Sequence, residues 1–288
     1  MGLKDLFNKF ASGAATVQPG VNDNRENADQ TLLRAAEFNK IPDMQAALKD
    51  GANIDARAPN TGDTALIIAV REGHTAAADF ILLQKPDLSP VNSFKQTALH
   101  VLLREAGEAA IAVRLVKSGA PLDGQDMHGN TPALWAARNG FPEVIEALME
   151  KKADLTIRGQ GEQTPLMQAT ETNRANIVKI MLTDPAAAGM DLADSNGMTG
   201  LMKATLLGNK AIVTAFLAAD ANFELKNNDG EKAIDIARAD FSKRGGDRTI
   251  LDMLEAASLK NANAFHAGVA HTKLLKPVRF KPKPATTV

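Results

Sequence analysis

The sequence has no cysteine and no tyrosine, and it has a single tryptophan among its 288 residues. The absence of cysteine excludes a disulfide scaffold, thiolate metal ligands and a cysteine nucleophile. Aromatic residues make up only 4% of the chain, whereas hydrophobic residues make up 44%. We therefore expect alanine, leucine, isoleucine and valine to form most of the core.

Long apolar runs are also missing. No stretch approaches the roughly 18 consecutive apolar residues of a transmembrane helix. The first ten residues, MGLKDLFNKF, lack the apolar segment and the small-residue cleavage site of a signal peptide. We expect a cytoplasmic protein, with export by a signal-independent route as the alternative.

The motifs of catalysis are absent as well. The sequence has no P-loop, no G-x-S-x-G, no H-E-x-x-H and no EF-hand loop. His266 and His271 have no aspartate or glutamate at metal-ligand spacing. We therefore expect no catalytic residue, no metal, no cofactor and no small-molecule substrate.

Charge is unevenly distributed. Residues 258–288 carry six basic residues and no acid, which leaves 27 basic and 34 acidic residues in the rest of the chain. The basic tail also contains Pro277, Pro282 and Pro284, which favour extended backbone over a packed core. The tail is either a solubilising extension or an electrostatic contact for an acidic protein, a nucleic acid or an anionic membrane.

A short motif recurs along most of the chain. TALIIAVREGH, TALHVLLREAG, TPALWAARNGF, TPLMQATETNR, TGLMKATLLGN and KAIDIARADF begin at steps of 33, 34, 33, 35 and 33 residues. Their first residues are Thr64, Thr97, Thr131, Thr164, Thr199 and Lys232. Self-similarity at this period indicates a solenoid of stacked repeats.

One repeat predicts its own local structure. Thr131 suits a helix N-cap, Pro132 suits the first helical position, and Gly140 suits the left-handed residue that ends the helix. A second helix follows with an apolar face at helical spacing, formed by Val144, Ile145, Leu148 and Met149. Two short helices cannot bury both apolar faces alone, so each pair must stack on the next.

These residues resemble the ankyrin repeat family. Its pattern is matched by DMHGNTPALWAARNGF, DSNGMTGLMKATLLGN and NTGDTALIIAVREGH, and by GANID, KADLT and DANFE farther along each unit. The resemblance implies an all-α solenoid with projecting β-hairpin-like loops over residues 28–257, with a capping unit at each end. The expected units are near 28–60, 61–93, 94–127, 128–160, 161–195, 196–228 and 229–257.

Several positions depart from the family pattern. Lys95 and Glu162 replace the turn glycine, so we expect those two hairpins to differ in shape. Leu102 and Leu103 stand where small residues are usual. The segment SKRGGD at 242–247 is too short for a phosphate cradle and is interpreted as the turn between the two cap helices.

The resemblance implies binding through the hairpin tips and the concave face of the first helices. His74 and His100 are expected to be structural hydrogen-bonding residues, whereas His128 lies at a predicted tip. Trp135 is either core packing or a central contact, and the arginines at 71, 104 and 138 are either a solvated face or a site for partner carboxylates. The expected contact residues are Phe38, Arg71, Phe94, Arg104, Met127, His128, Trp135, Arg138, Gln168, Lys203, Leu206 and Leu207.

Two arms flank the repeats. Residues 1–10 place Leu3, Leu6, Phe7 and Phe10 on one side of a helix, and residues up to 27 form an expected linker. The favoured function is a non-enzymatic adaptor, scaffold or inhibitor that binds a partner protein, with nucleic acid not expected. The alternatives are weak recruitment to a membrane surface by the amphipathic segment and the basic tail, or a secreted ankyrin effector.

Overall fold

The structure is a computed structural model that describes residues 23–105, 107–244 and 248–266. Its helices come in seven successive pairs. They are α1 (Asp23–Glu37) with α2 (Ile41–Lys49), α3 (Ala65–Arg71) with α4 (Thr75–Leu83), α5 (Ala98–Arg104) with α6 (Ala109–Lys117), α7 (Pro132–Asn139) with α8 (Pro142–Glu150), α9 (Pro165–Glu171) with α10 (Ala175–Met181), α11 (Gly200–Leu206) with α12 (Lys210–Ala218), and α13 (Ala233–Arg244) with α14 (Thr249–His266). A short 3₁₀ helix covers Gln160–Glu162.

The pairs stack in two layers. Each odd-numbered helix contacts its own partner and the next odd-numbered helix, from α1 to α13. The even-numbered helices contact one another in the same order, from α2 to α14. We call these the first-helix layer and the second-helix layer. The arrangement confirms the expected solenoid.

The repeated threonine begins the first helix of each internal unit. The side chains of Thr64, Thr97, Thr131, Thr164 and Thr199 each accept a hydrogen bond from the backbone N–H three residues later. This bond satisfies one of the N–H groups that a helix start leaves unpaired. At the other end of α7, Gly140 has a φ of 89°, as the sequence predicts.

The core is one cluster that runs through the repeats and consists mainly of aliphatic side chains. Phe216 is the largest fully buried side chain in the described residues, and leucine, isoleucine and methionine follow it. Leu102 and Leu103 are both buried, so the larger residues of the third unit add to the core. The expected aliphatic core is therefore confirmed.

Six loops, L1 to L6, join successive units and cover residues 50–64, 84–97, 118–131, 151–164, 182–199 and 219–232. They are hairpin-like but form only isolated bridges, at Arg57–Thr64 in L1 and Ala193–Thr199 in L5. Within the described residues no longer strand is present. The projecting loops are thus confirmed, with very little regular β-structure.

Neighbouring loop tips are joined by backbone hydrogen bonds, which we call the tip ladder. Ser93 N–H in L2 donates to Thr61 in L1, and Met127 N–H in L3 donates to Phe94 in L2. Ser195 N–H in L5 donates to Gly161 in L4, and the same bond joins L6 to L5. The equivalent bond between L3 and L4, from Gln160 N–H to His128 C=O, is missing from this otherwise regular series.

The two hairpins without a turn glycine keep the turn conformation that glycine has in the other loops. Lys95 takes a φ of 56°, and its N–H bonds to Asn92 C=O just as Gly129 N–H bonds to Asp126 C=O. The expectation of a different shape is therefore wrong for Lys95, because lysine adopts the left-handed conformation that glycine adopts elsewhere. Glu162 likewise takes a φ of 60°, and its N–H bonds to Gly159 C=O, so it replaces the turn glycine in the same way. L4 differs from the other loops in its 3₁₀ turn and in the positive φ of 71° at Gly161.

The helical array is longer than the expected repeat range of 28–257. Helix α1 begins at Asp23 and α14 continues to His266. The segment LKNANAFH contains no glycine or proline that would end a helix. Within the described part of the chain, no helix has both the length and the hydrophobicity needed to cross a bilayer.

Candidate interaction surface

Five of the expected contact residues are large hydrophobic side chains that are roughly half exposed: Phe38, Phe94, Met127, Leu206 and Leu207. Most side chains of this type in the repeats are buried in the core. Exposed apolar groups of this size mark interaction sites when they lie close together. Their positions on the tips and at the ends of first helices keep them as candidate contact residues.

Phe94, Met127 and His128 lie on adjacent tips and form what we call the tip patch. Met127 N–H donates to Phe94 C=O at 3.0 Å, so the ladder holds the two residues side by side. His128 is exposed next to Met127, and its N–H bonds to the Asp126 carboxylate at 2.9 Å. The patch thus presents apolar side chains on a backbone fixed by hydrogen bonds.

Trp135 in α7 is partly buried and has two neighbours of opposite charge. Its indole Nε1–H donates to Asp126 Oδ2 at 3.0 Å, which ties the base of L3 to the helix. The guanidinium of Arg138 lies 5.6 Å from the centre of the indole ring, within the range of a cation–π contact. Trp135 is therefore both a structural residue and part of the surface.

Lys203 does not present its charge at the surface. Its side chain is only 9% exposed, and its ammonium lies 2.6 Å from Asp194 and 2.6 Å from Glu171. Burial alone would lower the pKa of Lys203, but the two carboxylates raise it above its ordinary value. Because the ammonium is already bound, we remove Lys203 from the contact residues.

Gln168 belongs to the same internal network. Its amide donates to the Gln163 side chain, and Gln163 donates to Glu171 at 2.9 Å. Lys203 completes the series by donating to Glu171. The network links the fifth unit to the sixth and leaves Gln168 partly exposed at its edge.

The three arginines of the expected stripe have different partners. Arg71 forms two hydrogen bonds of 2.6 Å with the buried carboxylate of Asp63, and these bonds raise the pKa of Arg71. Arg104 is exposed and pairs with Glu105 beside it. Arg138 is exposed and forms no ion pair within the described residues. The stripe is therefore not three equivalent free cations.

His74 and His100 have the structural roles that the resemblance implies. His74 Nε2 lies 3.0 Å from the carbonyl of Glu37 in the preceding unit. The ring of His100 contacts Thr97 through Nδ1 and the Gly124 carbonyl through Nε2, at 2.9 Å. Burial lowers the pKa of His100, which favours the neutral ring in this position.

A cleft of about 290 Å³ lies between the fourth and fifth units. The cleft lies between L3 and L4, where the tip ladder is interrupted. Its lining residues are Asn130, Leu134, Trp135, Arg138, Gln160, Gly161, Gln163 and Gln168. The structure therefore brings three expected contact residues, at 135, 138 and 168, into one cleft, whereas Phe38 and the leucines at 206 and 207 lie in other units.

Sequence reasoning missed what holds each loop to its helix. The residue five before the helix-starting threonine is Asn92, Asp126 or Asp194 in three of the loops, and its Oδ1 accepts two backbone N–H groups of the tip. The other carboxylate oxygen binds Trp135 in L3 and Lys203 in L5. Asn227 accepts the same two bonds in L6. Gly159 in L4 and Pro59 in L1 both depart from the pattern, so a departure alone does not mark the cleft.

The two expected arms lie outside the described residues, apart from the ends of α1 and α14. In the part of the chain that is described, no group of three or more histidine, aspartate or glutamate residues could hold a metal ion.

Comparisons with known proteins agree with this architecture. A family model described as ankyrin repeats (3 copies) matches residues 81–159 and 157–229, and another described as ankyrin repeats (many copies) matches residues 32–82. The crystal structure of the human ASB11 ankyrin repeat domain superposes with a TM-score of 0.59 at 23% identity, covering 72% of this chain and 90% of that one.

Relatives in sequence are much longer proteins. The ankyrin repeat domain-containing protein SAT10 of Stachybotrys chartarum is 22% identical over 79% of this chain and 11% of its own length. Neurogenic locus notch homolog protein 1 of Xenopus laevis is 24% identical over 59% of this chain and 6% of its own. The ankyrin repeat and KH domain-containing protein mask-1 of Caenorhabditis elegans is 30% identical over 54% of this chain and 6% of its own. The chain thus spans a small fraction of these relatives.

Proposed function

Because the chain belongs to the ankyrin repeat family, whose repeats are generally protein–protein interaction modules, we propose that it is a non-enzymatic module that binds a partner protein. The partner lies along the first-helix layer and the loop tips. This is the role of an adaptor, a scaffold or an inhibitor, and the choice among the three depends on the partner.

The observation that supports this proposal most strongly is the tip patch. Phe94 and Met127 remain about half exposed although a hydrogen bond holds them next to each other. Exposure of two large apolar side chains to water gains nothing for folding, because neither contributes fully to the core. A partner that covers them gains that apolar burial on binding.

The test is partner capture with matched alanine variants. We expect Phe94→Ala with Met127→Ala to reduce recovery of the partner about tenfold or more, because central apolar anchors contribute about 1–2 kcal/mol each. The control is Leu83→Ala, which removes the most exposed large hydrophobic side chain in the described residues, at 75%, from helix α4 of the second-helix layer.

Tagged wild-type and variant proteins are compared by quantitative mass spectrometry, and circular dichroism confirms that all are folded. Proteins lost with the tip variant but retained with the Leu83 variant identify the partner. Equal recovery of every protein by the two variants and the wild type would refute a role for the tips.

A further inference from the structure

The cleft between the fourth and fifth units exists because L4 departs from the other loops. A Cβ atom on Gly159 would lie 2.8 Å from Leu134 Cδ1 and 2.9 Å from Asn130 Oδ1, so a larger residue here would have to displace those two side chains. The tip of L4 contains a 3₁₀ turn at Gln160–Glu162, and the ladder bond to L3 is missing there. The cleft is thus a built feature of this one junction.

On the flank of the cleft, a side chain replaces the missing backbone bond. The amide of Gln125 donates to Gly129 C=O at 2.8 Å and to Arg158 C=O at 3.0 Å. These bonds hold L3 and L4 together away from the tips. The two loops therefore stay attached although the opening between their tips is not closed by the ladder.

The lining of the cleft carries one positive charge and no negative charge. Its eight lining residues include one cation, Arg138, and no anion. The nearby acidic side chains are already engaged: Asp126 accepts hydrogen bonds from Trp135 Nε1–H and from two backbone N–H groups of L3, Glu171 is bound by Lys203 at 2.6 Å, and Glu162 is bound by Arg158 at 3.2 Å. Among the arginines at 71, 104 and 138, only that at 138 lacks a carboxylate partner within the described residues.

The geometry around Arg138 suits a planar anion. The indole ring of Trp135 lies under the guanidinium, at 5.6 Å from ring centre to guanidinium carbon, and limits the directions that the side chain can take. A guanidinium has N–H donors in a fixed fork that matches the two oxygens of a carboxylate. Amide side chains at positions 130 and 160 line the same opening and offer further donors.

We propose that this cleft binds the carboxylate of an aspartate or glutamate side chain in an extended segment of the partner protein. The inference rests on the proposed function, because it assigns a chemical feature to the partner that the tips contact. The tip patch lies on L2 and L3, beside the cleft. It contacts apolar side chains of the partner that flank the partner's acidic residue. The partner segment therefore carries an acidic residue next to large apolar residues.

The composition of the chain supplies a probe for this site. Trp135 is the only tryptophan and there is no tyrosine, so intrinsic fluorescence and the single indole N–H signal in a nitrogen–proton spectrum both report on the cleft. The full chain is titrated with pools of acetylated and amidated peptides that have a central glutamate and randomised apolar flanking residues. Matched pools carry glutamine or phosphoserine at the centre.

We expect the glutamate pool to shift both Trp135 signals and to bind about tenfold more tightly than the glutamine pool, because hydrogen bonds between two charged groups are roughly twice as strong as neutral ones. Arg138→Gln should remove this preference. Arg114→Gln should retain it, since Arg114 carries the same charge but lies on α6 of the second-helix layer, paired with Asp79.

Four results would overturn the inference. They are equal binding of the glutamate and glutamine pools, binding that leaves both Trp135 signals unchanged, tighter binding of the phosphoserine pool, and a complete lack of binding by the peptides. None of these results touches the partner-capture test of the tip patch, so the two proposals fail separately.

Discussion

Single residues decide how each loop is attached to the helix that follows it. In L3 and L5 the carboxylate at the loop base uses one oxygen for the tip backbone and the other for a donor on the first helix, Trp135 or Lys203. In L2 the equivalent helix residue is Val101, and the amide nitrogen of Asn92 has no partner among the described residues. Repeats with the same backbone therefore differ in the side-chain contacts that attach the loop to the helix.

The Lys203 cluster predicts a pH-dependent difference between variants. Lys203→Met leaves the Asp194 carboxylate, 8% exposed, without its cation, and we expect a loss of about 2–4 kcal/mol of folding stability at pH 7. Burial opposes ionisation of Asp194, but hydrogen bonds from Lys203, Met198 N–H and Asn196 N–H lower its pKa below the ordinary value. Urea unfolding of both proteins measures the loss.

The sign of the pH effect follows from that direction. The pKa of Asp194 is lower in the folded protein than in the unfolded chain, where it is about 3.9. Ionised Asp194 therefore stabilises the folded protein above about pH 3.9, and this stabilisation is lost as the pH falls through the pKa of Asp194 in the folded protein. The difference between wild type and Lys203→Met should therefore narrow below about pH 4, when Asp194 becomes protonated. A constant difference from pH 7 to pH 3 would contradict the role given to this ion pair.

At the scale of one element, glycine is favoured at the turn position of a loop tip because the backbone φ there is positive. Lys95 and Gly129 occupy equivalent turn positions, with φ angles of 56° and 79°. A side chain in this region costs about 1–2 kcal/mol, and glycine loses more entropy on folding, by about 0.5–1 kcal/mol. We predict that Lys95→Gly stabilises the protein by about 0.5 kcal/mol and that Gly129→Ala destabilises it by about 1 kcal/mol.

Urea midpoints of the two variants check this pair of predictions. Gly129 is a clean site for the test, because the nearest atom to an added Cβ is the Gln125 amide at 3.7 Å, an ordinary contact. Any loss at Gly129 therefore comes from φ rather than from a clash. Destabilisation by Lys95→Gly would show that the lysine side chain contributes more than its strained backbone costs.

Gly200 is glycine for a different reason, which is side-chain packing. Gly200 begins α11, where two other units have proline, and a Cβ there would lie 2.5 Å from the ring of Phe216. Phe216 is fully buried and belongs to α12 of the same unit. Glycine is therefore required by packing inside the helix pair, a reason that the repeat pattern alone does not contain.

At the scale of the whole molecule, each described helix makes its main contacts with its partner and with its neighbours in the stack. Stability should then be a sum of units and interfaces rather than a property of one central core. We predict that Leu254→Ala, which truncates a side chain 1% exposed in the last unit, lowers local stability by about 2–4 kcal/mol. The loss should be largest at that end of the array.

Two probes of one urea titration separate local from global unfolding. Circular dichroism follows all helices, whereas Trp135 fluorescence follows the fourth unit. Leu254→Ala should shift the circular dichroism midpoint clearly more than the fluorescence midpoint, because the last unit can unfold while the middle stays stacked. Equal shifts would mean that all seven units unfold together.

The amino-acid pattern is enough to predict the repeat, the starts of the internal first helices and the aliphatic core. Those properties depend on local rules: a threonine that caps, a glycine that ends a helix, and apolar residues at helical spacing. The equivalence of units also placed Phe94 and Met127 on neighbouring tips, because a solenoid repeats each position along one face.

Three-dimensional contacts determine which of the equivalent side chains are available to a partner and which are bound within the protein. Arg71 and Lys203 fit the expected surface rows by position, but each is bound to a buried carboxylate that lies elsewhere in the sequence. The cleft beside Arg138 likewise depends on how closely Gly159 approaches Leu134. Ion pairing and close approach are properties of three-dimensional contacts, and no periodicity along the chain encodes them.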